Sequence, residues 1–135
     1  MNQKRNPLFD SLAAVLAVAI ISLLTALPAA PTANSQSDAL HAGLTELRAA
    51  SFRAYLANDG QAVADAGALE EQLSNFITEV PVNAVNQLST IRSMPANYDK
   101  PVLDGTAGWV YVPATGRVFP DLPGTDEKGT PYSVW

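Results

Sequence analysis

From Ser11 to Ser37 the chain carries no charged side chain, and from Leu12 to Ile21 it carries no polar one. A helix needs about 20 predominantly apolar residues to cross the hydrocarbon core of a bilayer. Leu8–Leu27 (LFDSLAAVLAVAIISLLTAL) reaches that length, with Ser11, Ser22 and Thr25 as mild interruptions. Lys4 and Arg5 precede the run and Pro28 closes it. An apolar stretch behind two basic residues reads as a segment for membrane insertion or export, not as a core helix of a soluble domain.

Three readings of this segment stand side by side. As a signal peptide it has a basic approach, an apolar run of suitable length and small residues at Ala33-Asn34-Ser35. As a single-span anchor it keeps its basic end on the cytoplasmic side. The third, a helix that packs against copies of itself, is what a resemblance to a known family implies. Asp10, at the edge of the run, reaches water and headgroups at little cost and complements a helix N-terminus; deeper in the bilayer it needs a partner.

With that segment set aside, about a hundred residues remain, enough for one domain with a modest core. The organisation reads as a basic leader (1–7), a membrane or filament-core helix (8–28), a Pro/Ala/Ser-rich connector (29–37), a globular domain (38–120) and a Pro/Gly-rich acidic tail (121–135). The net charge of -5 argues against nucleic acid as a partner. The chain has no cysteine, so neither disulfides nor thiolate chemistry enter.

Ser37 or Asp38 is the expected N-cap of an amphipathic helix. Leu40, Leu44, Leu47, Ser51 and Ala54 fall on one helical face, Phe52, Tyr55 and Leu56 widen it, and Asn58-Asp59-Gly60 ends it. Ala66–Val80 reads as a second helix, stopped by Pro81. His41, the sole histidine, has no companion for a metal set and is assigned to a helix flank. Leu88–Arg92 reads as a strand. Gly108–Val112 and Arg117–Phe119 read as a hairpin turning at Pro113–Gly116, with glycine where the turn needs a positive φ.

Several of these stretches resemble the type IV pilins and type II secretion pseudopilins. In Asn6-Pro7-Leu8-Phe9-Asp10, the acid and the apolar residues before it match the start of the mature family helix. Arg5 stands where the family has its cleavage-site glycine, and Asn6 where it has phenylalanine. Leu47-Arg48-Ala49-Ala50, then Tyr55, then Asn58-Asp59-Gly60 follow the family's helix and turn. The loop carrying Pro81 and Asn83, the Ser-Thr-Ile strand, Asp104-Gly105 and Gly108-Trp109-Val110-Tyr111-x-Pro-x-Thr-Gly116-x-Val resemble its C-terminal part. Ala84 replaces a proline that the family commonly has.

The resemblance implies an α+β fold: an N-terminal hydrophobic helix continuing into an amphipathic helix packed on a small antiparallel β-sheet. It implies that Arg48 lies along the helix side and that Tyr55 packs its ring with the hydroxyl in water. Phe9, Asp10, Leu12, Leu16, Ile20, Leu23 and Leu24 would pack subunits together, with Asp10 setting their register. The missing glycine fits a subunit not processed at this site. Major pseudopilins hold calcium in a C-terminal loop, which brings Asp121, Asp126 and Glu127 forward as ligand candidates. The chain lacks a ladder of alternating aspartates, which favours a solvated acidic tail over calcium; no other cofactor is expected.

No nucleophile elbow, phosphate loop or zinc motif is present, so no enzymatic activity and no small-molecule substrate are expected. The expected role is structural. The chain would be a subunit of a pilus-like filament or secretion pseudopilus, held in a bacterial inner membrane by residues 8–27, with its C-terminal domain periplasmic or extracellular. Its partners would be itself or other pilin-like subunits. The alternative is a tethered or exported binding domain that never polymerises and recognises a partner through the Trp109–Phe119 hairpin and the tail.

Overall fold

The fold is that of a computed structural model, which describes residues 33–135. Leu8–Leu27, with the packing residues Phe9, Asp10, Leu12, Leu16, Ile20, Leu23 and Leu24, lies outside the described residues. Among the described residues no helix is long and apolar enough to cross a membrane.

The first element, α1, runs from Ala33 to Ala57. It begins inside the stretch read as a connector, so Ser37 and Asp38 sit within the helix and do not cap it. Residues 33–38 (ANSQSD) hold no proline, glycine or β-branched residue, so nothing there breaks a helix outright and the extension is allowed. The stripe Leu40, Leu44, Leu47, Ser51 and Ala54 is buried throughout. Asp59 and Gly60 both take positive φ, and the Gly60 amide donates to Tyr55 O at 3.0 Å, which terminates the helix.

Helix α2 covers Ala66–Leu73, capped by Asp65, whose carboxylate accepts from the Ala68 amide at 2.9 Å. It stops seven residues short of the expected Val80. Ser74 Oγ donates to Glu71 O and the Asn75 side-chain amide donates to Gln72 O, so short polar side chains compete for the helix's own carbonyls. Phe76 and Ile77 still pack on the core from the turn that follows.

The sheet has the order β1-β2-β3, with β1 at Ile91–Ser93, β2 at Trp109–Val112 and β3 at Arg117–Pro120. Strands β2 and β3 form the expected antiparallel hairpin, with Tyr111 opposite Val118, and Gly116 turns it at φ 66°. Strand β1 pairs parallel to β2, Ile91 beside Trp109 and Ser93 beside Tyr111. The sheet is therefore mixed, which corrects the expectation of an antiparallel one. A parallel pair needs a crossover of about a dozen residues or more, and the Pro-rich excursion between Ser93 and Trp109 is that crossover.

The crossover also covers the second face of the sheet. Met94 and Leu103 pack there against Val110, Val112 and Phe119. On the first face Trp109, Tyr111 and Val118 meet the leucines of α1 and α2. All four residues of β2 are consequently buried. Each large side chain so buried contributes about 1.5–3 kcal/mol. A short 3₁₀ turn, Tyr132–Val134, ends the chain and lies back on the domain.

Candidate functional site

Three constructions set the surface of the domain. The first is a hub under the loop that follows α2. Asn83 is fully buried: its side-chain amide donates to Gly108 O at 2.8 Å, and its Oδ1 accepts from the Val85 amide. Its own backbone amide donates to Leu88 O. Pro81 O accepts from Trp109 Nε1 at 2.7 Å. A Cβ on Gly108 would stand 2.1 Å from Leu88 O, so no other residue fits there. Pro81, Asn83, Gly108 and Trp109, picked out by the resemblance, thus form one unit. Gly43 of α1 belongs with them, because a Cβ there would lie 3.3 Å from Pro81 Cβ and 3.5 Å from the Trp109 ring.

The second is an ion pair that local sequence does not mark. Asp121 has no exposed surface. Arg92 grips it with Nε on Oδ2 at 2.7 Å and Nη2 on Oδ1 at 2.8 Å, and the amides of Asp104 and Ala107 donate to the same carboxylate at 3.0 Å. Burial alone would raise its pKa. The Arg92 hydrogen bonds, the two amides and the Arg92 charge outweigh burial and hold the group at about 2. Asp121 therefore belongs to the folded domain and not to a solvated tail with Asp126 and Glu127. Its four N–H donors leave little for a cation.

Asp126 folds its own loop, accepting from the amides of Lys128 and Thr130 at 2.8 Å each. The Thr130 amide is the main cause of its lowered pKa. Glu127 is exposed. Among the described residues no group of three or more His, Asp or Glu side chains is arranged to hold a metal ion; Asp121, Asp126 and Glu127, the calcium candidates that the resemblance brought forward against a solvated tail, do not form such a group.

The third construction is a cleft of about 430 Å³ between the second half of α1 and the β2–β3 hairpin. Cavities of ~300–1,000 Å³ are the usual size for ligand or side-chain docking. One wall is Arg48, Ser51, Phe52 and Tyr55 of α1; the other is Thr115–Val118. Arg48 does not run out along the helix as expected. It reaches across to β3, donating from Nε to Val118 O at 3.0 Å and from Nη2 to Trp135 O. Burial, then the nearby Arg117 charge, lower its pKa. Arg117 stacks over Phe119, 4.8 Å from the ring centre. Phe52 and Tyr55, expected to widen the packed face, instead stack on each other with 61% and 40% of their surface exposed. Ser51 Oγ is buried without a hydrogen-bond partner among the described residues.

His41 lies on the flank of α1, as its isolation suggested, and stacks on Trp135 at 3.9 Å between ring centres. Arg48 and His41 together hold the C-terminal turn onto the helix. Comparison with protein-family models, with characterised proteins and with solved structures gives no match.

Proposed function

We propose that the chain is a pilin-like subunit, anchored by Leu8–Leu27 and assembled into a type IV pilus-like filament or secretion pseudopilus. The observation that supports this most is the sequence of elements. An apolar run ends at Leu27, α1 starts at Ala33, and the buried stripe of α1 rests on a small sheet centred on Gly108-Trp109-Val110-Tyr111. In this reading one helical path serves two tasks: its first part packs in the membrane or filament, and its second part carries the domain. The position of Ala33–Ser35 lends further support. These residues form the first turn of α1, whereas an export signal is cut in extended, accessible chain.

The test is intact-mass analysis of the protein from native membranes, paired with electron microscopy of sheared cell-surface material. The expected result is a chain beginning at or before Asn6 that appears in filaments. A soluble chain beginning near Gln36 would overturn the reading and leave the domain as an exported, non-polymerising binding module.

A further inference from the structure

The domain is acidic but the cleft between α1 and the hairpin is basic. Of the chain's eight basic and thirteen acidic residues, Lys4, Arg5 and Asp10 precede residue 33, leaving six basic against twelve acidic in the described part. Even so, Arg48 and Arg117 line the cleft and no acidic residue does. Among the described residues Arg92 alone makes ion pairs. Among the described residues the guanidinium of Arg48 meets two carbonyls and the Phe119 ring, and that of Arg117 meets the same ring.

An added β-strand is a poor occupant for this cleft. Strand β3 is the sheet's edge, but Arg48 takes the outward carbonyl of Val118, and Pro120 has no N–H to offer. What suits it is a carboxylate beside an apolar side chain, matched to two arginines and to Phe52 and Tyr55.

The chain presents such a surface on α2. Glu70 and Glu71 are exposed and make no ion pair among the described residues. Beside Glu70 lies an apolar recess of about 120 Å³, lined by Leu73, Ile77 and Val80. Leu56, 58% exposed and one turn beyond Phe52, is an aliphatic knob next to the cleft. Two side-chain polar atoms are buried without partners among the described residues: Ser51 Oγ in the cleft and Gln72 Oε1 on α2.

We propose that the Arg48–Arg117 cleft of one copy receives the Glu70–Glu71 face of α2 from a second copy of this chain. The two surfaces lie on different parts of the domain, since the cleft opens beside β3 while α2 packs on β1 and α1. The contact is therefore head-to-tail, the type that builds open filaments unless its rotation closes a ring. This inference rests on the filament reading and names the globular contact within it.

The chain's lack of cysteine makes the test direct. Full-length protein carrying both Thr115→Cys and Thr78→Cys, exposed positions in the cleft and in the recess beside Glu70 that leave the charges in place, is treated in membranes or filaments with a short bismaleimide, beside the Thr115→Cys single variant. A ladder of oligomers from the double variant, absent from the single one, is expected. Filaments that form without such a ladder overturn this contact and leave the filament reading standing. A protein that neither assembles nor cross-links overturns both. An adduct with a different protein in place of the ladder overturns the second copy as occupant.

Charge exchange supplies an independent measurement at two exposed positions, where the fold tolerates substitution. Arg117→Glu or Glu71→Arg alone should lower the assembled fraction at least about tenfold, because like charges then face each other. The two together should restore it. Failure of the double variant to recover overturns the pairing.

Discussion

Asp121 keeps its charge where none of its surface meets water, and it does so because four N–H groups point at it. Its folded pKa of about 2 lies below the ordinary 3.8, so the unfolded chain binds its proton first as the pH falls. The stabilisation is complete above about pH 5 and is lost as the pH drops through 4 towards 2. A shift of this size corresponds to about 2 kcal/mol. Urea denaturation of the full chain in detergent micelles, run from pH 7 to pH 2, should show that loss. Asp121→Asn should be less stable at pH 7 by about 3 kcal/mol, since Arg92 is left without its anion, and should flatten the acid limb. Parallel acid limbs in the two proteins would show that Asp121 titrates normally. None of this was legible in the sequence. Arg92 and Asp121 are 29 residues apart, and an acid in a Pro/Gly-rich stretch looks like solvated tail until the fold brings its partner. Gly108 and Trp109 were legible, because the hairpin that holds them is local and has its own turn chemistry.

At the scale of elements, what could be read depended on whether a pattern was periodic. The stripe of α1 recurs every three or four residues, and its burial follows from that spacing alone. The end of α2 is set by Ser74 and Asn75 turning back on carbonyls, a competition that periodicity does not register. The parallel pairing of β1 depends on where the crossover travels, which no feature of the strand itself records. The cleft was missed for a related reason. Phe52 and Tyr55 looked like an extension of the packed face, yet they and the hairpin stand as the two walls of an open cleft. The C-terminal turn gives a prediction at this scale. Trp135 stacks on His41 and its carbonyl accepts from Arg48, so it ties the end of the chain to the middle of α1. Trp135→Ala should lower stability by about 2 kcal/mol, less than for a fully buried tryptophan because the ring is half exposed. Hydrogen exchange should speed up along residues 37–48 while β2 keeps its protection. Unchanged exchange in that stretch would mean the turn only rests on the helix without stabilising it.

For the whole molecule, the proposed role divides the chain into a part that holds it in the membrane and a part that meets neighbours. Asp10 distinguishes the two tasks. It sits near the basic end of the apolar run, where a carboxylate reaches the interface and costs membrane insertion little. Removing it should therefore leave insertion intact. Within a filament the same acid would be enclosed by neighbouring helices and would need a positive partner, so its removal should be felt in assembly. Asp10→Ala is expected to stay in the membrane fraction as the parent does, with the assembled fraction reduced at least about tenfold, the scale of one buried charge-assisted contact. Ile20→Arg supplies the contrast: a cation near the middle of the run opposes insertion by about 2.5–3.5 kcal/mol and should lower the membrane fraction itself. Fractionation and electron microscopy on the two variants separate the effects. An Asp10→Ala chain that assembles like the parent would leave that acid with an interfacial role alone, and the register between subunits would then rest on contacts of the globular domain.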